Sequence, residues 1–268
     1  MKKFSSLLHN LILTPSRNTK IKLLQDYFKI LDINRAYALA ILSDQLSFQF
    51  IKASKLRELV YEQVDQHLFD YSYDYVGDLA ETISLIWPTN KEGKSQNLST
   101  LIENIKKIKK SEINTEFSKI LSELSNNERW TLIKICTGGL RIGVSERLVK
   151  TALADLYNKS VNEIEEIWHG LEFPYENLFQ WLKNETSKPK IDFKKLFHPM
   201  MLANPIDEEK DFKRLDANEF QAEYKWDGIR VQLMVSSNSV SLYSRTGDNI
   251  SSAFPEIIET TKGDAVID

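Results

Sequence analysis

Cysteine is almost missing from this chain. Cys136 is the only one in 268 residues, which excludes an intramolecular disulfide and any multi-cysteine zinc site. The four histidines, His9, His67, His169 and His198, are scattered and none sits in an HExxH frame, so no metal-built domain is expected. Seven prolines and nine glycines are too few for a collagen-like or low-complexity chain. A surplus of one charge is lacking too. The 35 Lys and Arg against 38 Asp and Glu leave −3, so any polyanion site must be a local patch. No apolar run approaches the ~20 residues that span a bilayer. Lys2 and Lys3 precede an apolar Phe4–Leu13, but His9 and Asn10 interrupt it and no Ala-x-Ala site follows. An amphipathic helix is expected there, and the chain is expected to stay in the cytoplasm.

What is present is an ordinary globular mixture, 42% hydrophobic and 27% charged, long enough for one large domain or two moderate ones. Residues 1 to about 185 read as successive helices. Ser16 suits the cap of a segment with Ile21, Leu24, Phe28 and Leu31 on one face. Asp32 suits the start of the next, and Thr100 with Glu103, and Ser160 with Glu163, have capping-box spacing. Asn126 precedes a helix that Gly138-Gly139 stops, and Pro174 fits the first turn of another through Trp181. After the polar stretch Ser187-Lys188-Pro189-Lys190 the pattern changes. Phe220–Trp226, Ile229–Val235 and Val240–Ser244 read as strands, with turns at Ser236-Ser237-Asn238 and Thr246-Gly247-Asp248-Asn249. Asp264–Asp268 begins a further strand. An all-helical domain therefore precedes the opening of an antiparallel α+β domain.

Two windows are locally basic. Residues 94–110 hold five Lys against Glu103, and residues 129–150 hold five Lys and Arg against Glu146. Such runs are usually solvated helix faces. Gly93-Lys94-Ser95 is not a P-loop, because Pro88 stands where the motif needs glycine and no strand precedes it. Cys136, inside an apolar helix, reads as a core residue.

The chemically informative stretch is Glu223-Tyr224-Lys225-Trp226-Asp227-Gly228-Ile229-Arg230. On the strand reading, Lys225 ends an apolar strand with its amine directed into a cleft, and Asp227-Gly228 permits a tight turn that brings Arg230 back beside it. A lysine amine is nucleophilic only when deprotonated, and its reference pKa is ~10.4. Partial burial and neighbouring cations, here Arg230 and Arg245, lower that value while gripping phosphate oxygens. The arrangement suits covalent capture of a phosphoryl group. The plainer reading is a hairpin with a Lys–Asp pair round its turn.

Lys225-Trp226-Asp227-Gly228-Ile229-Arg230 resembles the KxDGxR adenylation motif of covalent nucleotidyltransferases, which include ATP-dependent DNA ligases, RNA ligases and mRNA capping enzymes. Ser244-Arg245-Thr246-Gly247 and Phe254-Pro255-Glu256 are similar to the elements that follow it in DNA ligases. In the helical half, Gly138-Gly139-Leu140-Arg141-Ile142-Gly143-Val144-Ser145-Glu146 resembles the LRIG element of the DNA-binding domain in archaeal, eukaryotic and some bacterial ATP-dependent ligases. Leu13–Asn18 and Asp74–Thr82 are similar to the bacterial repair-associated group, and His198–Ala203 fits the approach to the adenylation domain. The resemblance runs the length of the chain. It does not extend to RNA ligases or capping enzymes, which lack the helical domain.

The resemblance implies an all-α DNA-binding domain over 1–188 and the first part of an ATP-grasp-like α+β antiparallel nucleotidyltransferase domain over 196–268, with no OB-fold domain. It implies that Lys225 forms lysyl–AMP, that Glu223 contacts the adenine amino group, and that Arg230 binds the ribose and α-phosphate. Arg245 would bind phosphates, and Asp227 and Gly228 shape the turn. Lys134, Gly138, Gly139, Arg141, Ser145 and Arg147 would meet the minor-groove backbone of DNA. ATP and Mg²⁺ are the implied cofactors, and nicked double-stranded DNA is the substrate. A monomer in the cytoplasm, at the nucleoid, is expected, working in repair, recombination or replication. The third motif of the family begins at Asp264–Asp268, so the chain is expected to be the front part of a ligase. The alternative is a duplex-binding helical module with an inactive nucleotidyltransferase remnant.

Overall fold

A computed structural model describes every residue except 31, 45–49, 89–94, 139, 191–196, 199, 202, 222, 237–238 and 246–248, and the side chain of residue 217. The chain divides into two compact units. One comprises Met1–Glu165 with Leu171–Lys188, the other Glu166–Gly170 with Pro189–Asp268.

The first unit is helical. α1 (Lys2–Leu13), the helix expected at the start, buries Phe4, Leu7, Leu8 and Leu11 on one face. α2 (Arg17–Phe28) is capped where expected: the Ser16 hydroxyl accepts from the Thr19 amide at 3.4 Å. Then follow α3 (Asn34–Leu42), α4 (Ala53–Tyr61), α5 (Gln66–Val76), α6 (Leu79–Ile86), α7 (Leu98–Lys106) and α8 (Ile113–Glu123). Asp32 stands just ahead of α3 and its carboxylate accepts from the Asn34 amide at 2.8 Å. α7 starts two residues before Thr100, with Asn97 at its cap, so the expected Thr100–Glu103 box does not form. Glu103 instead takes the Tyr37 hydroxyl and Lys106.

α9 (Asn126–Thr137) is buried on most sides although its sequence mixes polar and apolar residues, and the buried polar ones, Glu128 and Arg129, are hydrogen-bonded. It buries Thr131, Leu132, Ile133, Ile135 and Cys136 and packs on α1 and α6. A capping box between Ser125 and Glu128 starts it, and Gly138 ends it in the left-handed region at φ 72°. α10 (Glu146–Tyr157) packs on α2 and α3. α11 (Val161–Trp168), whose last three residues belong to the other unit, and α12 (Glu176–Leu182) complete the helical series. The Ser160 amide donates to Glu163 at 3.1 Å, as the spacing predicts. Pro174 precedes α12 by two residues, so it is not in the helix's first turn.

The second unit contains α13 (Glu208–Asp211), a three-stranded antiparallel sheet and α14 (Pro255–Thr260). The strands, β1 (Val231–Ser236), β2 (Ser239–Ser244) and β3 (Ala265–Ile267), lie in the order β2-β1-β3. Val231 pairs with Ser244 and Ser236 with Ser239, while Met234 pairs with Val266 on the other side. Met234, Val235 and Leu242 form the small core, and α14 packs on β2. Gln232 clamps the chain ahead of the sheet, accepting from the His198 amide at 2.6 Å and donating to its carbonyl at 2.9 Å.

The expected strand Phe220–Trp226 is absent among the described residues. Phe220, Tyr224 and Trp226 are exposed on irregular chain. β-forming composition makes a strand only where it is paired, and none of the three strands pairs with this stretch. Of the turns expected at Ser236-Ser237-Asn238 and Thr246-Gly247-Asp248-Asn249, residues 237–238 and 246–248 lie outside the described residues.

Candidate functional site

The loop between α9 and α10 and the start of α10 hold four of the expected DNA-binding residues, Gly138, Arg141, Ser145 and Arg147. Ser145 caps α10, its hydroxyl accepting from the Leu148 amide at 3.3 Å. Arg141 is exposed and held at φ 39°, a left-handed conformation uncommon for a side chain with a Cβ. Gly143 is at φ 65°. Gly138 is exposed at the head of the loop, and Gly139 lies outside the described residues. Arg147 is exposed on α10, with its nearest carboxylate, Glu165, 3.8 Å away.

α2 supplies the other half of this site. Lys20 donates to the carbonyls of Gly143 at 2.9 Å and Ile142 at 3.3 Å, fastening the loop to α2 across more than a hundred residues. Pro15, Arg17, Lys20, Gly143, Val144, Ser145 and Leu148 line a cavity of about 510 Å³. The N-terminal ends of α2 and α10, both positive poles, meet there beside two cationic side chains. That is an anion-binding geometry. A weak signal existed, because Leu13–Asn18 belongs to the resemblance, but the pairing of Lys20 with Gly143 is a long-range contact that no local pattern announces.

The basic window at 129–150 is less exposed than its composition implies. Arg129 is fully buried, and its guanidinium donates to the carbonyls of Leu121, Ser84 and Leu124, each at 2.8 Å. Lys150 is buried and ion-paired with Glu146 at 2.5 Å. Lys134, an expected DNA contact, is largely covered and bonded to Asp78 at 2.5 Å. Burial opposes the charge on Asp78, but Lys134 and the amides of Glu81 and Ala80 outweigh it and hold the carboxyl below the usual range. Of the window's five cations, Arg141 and Arg147 face solvent.

In the second unit, Glu223, Lys225, Asp227 and Gly228 lie on exposed irregular chain ahead of β1. Glu223 accepts from the Gln221 amide group at 3.2 Å. A Cβ placed on Gly228 would meet nothing within 4 Å, so the bend is open. Arg230 makes a two-pronged pair with Asp268, at 2.7 and 2.5 Å, and donates to the Met201 carbonyl at 2.8 Å. That hydrogen bonding holds the Asp268 carboxyl below the usual range. Arg245 is exposed at the end of β2. Among the described residues, no three His, Cys, Asp or Glu stand together as metal ligands, and no helix is long and apolar enough to cross a membrane.

One chain thus joins a helical unit with a cationic cavity to an α+β unit that carries the Lys-x-Asp-Gly-x-Arg segment. Both units match known proteins. Residues 1–154 match the family described as DNA ligase N terminus, and residues 200–268 match the ATP dependent DNA ligase domain. The chain belongs to the ATP-dependent DNA ligase family. It is 37% identical over 147 residues to the DNA ligase of Nitrosopumilus maritimus, covering 53% of this chain and 25% of that protein. A probable DNA ligase of Koribacter versatilis is 33% identical over 152 residues, 53% of this chain and 24% of its own length. The DNA ligase of Thermococcus fumicolans is 24% identical over 200 residues, 69% of this chain and 36% of its own. The chain thus spans about a quarter to a third of these relatives.

Proposed function

We propose that the chain is the DNA-gripping and nucleotide-capturing portion of an ATP-dependent DNA ligase that seals nicks in duplex DNA. The observation that carries this reading is the occurrence, in one chain, of Lys225-x-Asp227-Gly228-x-Arg230 within the ligase-matching residues 200–268 and the cationic cavity within residues 1–154. In this reading residues 1–188 are the DNA-binding domain. Residues 196–268 open an antiparallel, ATP-grasp-like α+β adenylation domain. Its setting is the cytoplasm at the nucleoid, as a monomer, in repair, recombination or replication.

The chemistry follows from the side chains. The deprotonated Lys225 amine attacks the α-phosphorus of the substrate ATP. The N–P bond forms as the bond to pyrophosphate breaks, leaving AMP on the lysine. AMP then passes to the 5′-phosphate of the nick, and the 3′-hydroxyl displaces it to close the phosphodiester. Glu223 reads the adenine amino group, Arg230 holds the ribose and α-phosphate, and Arg245 holds further phosphates. Asp227 and Gly228 shape the bend that presents Lys225. Mg²⁺ is proposed to neutralise phosphate charge in the whole enzyme, and the described residues offer it no coordination set of their own. In the helical unit, Arg17, Arg141 and Arg147 take phosphates of the DNA backbone, with the amides at the start of α10 beside them.

Two measurements test this. Anisotropy of a labelled nicked duplex with the 268-residue chain should show binding without sequence preference that weakens steeply with salt. Arg17→Ala and Arg141→Ala should each weaken it uniformly and lower the salt slope by about one contact. Unchanged, salt-insensitive binding returns the cavity to ordinary surface. Incubation with α-labelled ATP and Mg²⁺ should leave protein-bound label that survives alkali and is released by acid, as a phosphoramidate is. Lys225→Ala removes the amine and Lys225→Arg puts a permanently protonated guanidinium in its place, so both abolish the label. One observation favours the second reading, a duplex-binding module with an inactive remnant: Lys225 is exposed and Arg230 is engaged by Asp268. DNA binding with no label would decide for it.

A further inference from the structure

α5 has two faces, and the helical unit uses only one. Phe69 is fully buried, and Tyr73 stacks parallel to it with ring centroids 6.0 Å apart. The Arg57 guanidinium covers Tyr73 at 4.7 Å. The other face carries Leu68, Tyr71 and Tyr75, spaced three and four residues apart and therefore one stripe along the helix. They are 54%, 76% and 93% exposed. Single exposed apolar side chains are ordinary, but an aligned stripe holding two tyrosines one turn apart is a contact surface without its contact.

The surrounding charge identifies what fits it. From Glu58 to Asn90 the chain has seven Asp and Glu and not one Lys or Arg; Glu58 and Asp78 are ion-paired with Lys55 and Lys134, which leaves five without a lysine or arginine partner among the ion pairs of the described residues. Glu62, Asp65 and Asp74 are exposed on and just before α5, and Asp74 lies directly beside Tyr75 in sequence and one turn from Tyr71. A phosphate backbone is repelled by such a surface. Lysines and arginines are attracted to it, and tyrosine rings add cation–π attraction on top of apolar contact. Tyrosine is also among the side chains that most often dominate binding at protein interfaces.

We propose that this stripe docks a basic, amphipathic segment of a partner protein. Leu68, Tyr71 and Tyr75 receive its apolar side chains, and Glu62, Asp65 and Asp74 receive its cations. This surface is separate from the residues assigned to DNA and nucleotide, and the proposal does not rest on the ligase reading.

The probe is a fluorescein-labelled amphipathic helical peptide of leucine and lysine, about five turns long, with a leucine–glutamate peptide of the same order as its control. The 268-residue chain should bind the lysine peptide and not the glutamate one, with affinity falling as salt rises. Tyr71→Ser with Tyr75→Ser, which leaves the charge unaltered, should weaken binding at least ~10-fold without changing the circular dichroism or the affinity for nicked duplex. Tyr71→Phe with Tyr75→Phe should retain binding, and Asp74→Asn should reduce its salt dependence. Undiminished binding by the serine variant overturns the proposal, because charge alone then holds the peptide. So does displacement of the peptide by duplex DNA. A concentration-dependent doubling of mass in light scattering that the serine variant abolishes also overturns it, by making a second copy the occupant.

Discussion

Replacing Arg129 by methionine tests how far the helical unit depends on one buried cation. The guanidinium has no solvent exposure. Its Nε donates to the Leu121 carbonyl and one terminal nitrogen to Leu124, both at the C-terminal end of α8, while the other reaches Ser84 in α6 and the Asn126 side chain at 3.3 Å. Arg129 therefore ties the end of α8 and the body of α6 to α9. Methionine fills most of the volume and removes every donor. Leaving one buried acceptor unsatisfied costs about 1–3 kcal/mol, and three backbone carbonyls are affected. Against this, the variant no longer holds a charge in the interior, where burial pushes the Arg129 guanidinium down to about 10. The net loss expected for breaking a buried charged network of this kind is about 3–5 kcal/mol. Unfolding in urea followed at 222 nm should show a lower midpoint with little change in slope. Arg129→Lys should lie between the two, since one ammonium cannot reach carbonyls in three directions. A methionine variant within ~1 kcal/mol of the parent would refute the argument that these carbonyls have no other source of donors.

Asp78 predicts an acid dependence. A depressed carboxylate adds stability that is complete above its unfolded value, ~3.9, and is lost as pH falls through its lower folded value. Asp78→Asn should therefore be less stable by about 1 kcal/mol at neutral pH, a gap that closes in urea titrations below about pH 4; a gap independent of pH would remove Lys134–Asp78 as its source. Gly143→Ala should lose about 1–2 kcal/mol for its left-handed backbone. Its Cβ would stand 2.7 Å from the Lys20 ammonium, so the lysine must leave the loop carbonyls and duplex affinity should fall with stability. Arg141→Gly separates the two effects: relief of strain should leave stability unchanged or up to ~1 kcal/mol higher, while duplex binding weakens. A clear loss of stability on that change would mean that the arginine is packed and does not serve the site.

Local signals in the sequence carried much of the architecture. Ser16 and Gly138 mark helix ends because capping is a contact within one turn, and the amphipathic α1 is visible in the spacing of Phe4, Leu8 and Leu11. β1, β2 and β3 fall on the stretches whose β-formers alternate or cluster between turn residues. Lys225-x-Asp227-Gly228-x-Arg230 needed only its spacing to be noticed. What the sequence could not determine is wherever a residue's state depends on a distant partner. Phe220–Trp226 has strand composition but pairs with none of the three strands. Arg129, Lys134 and Lys150 count as positive charge in any window, yet burial against α6 and α8, Asp78 and Glu146 withdraws them from the surface. Lys20 looks like one more exposed lysine until the chain folds it onto Gly143 and turns two helix ends into one cavity. Propensity and periodicity act over a few residues, whereas burial, ion pairing and cavity shape are set by chain segments that only tertiary packing brings together.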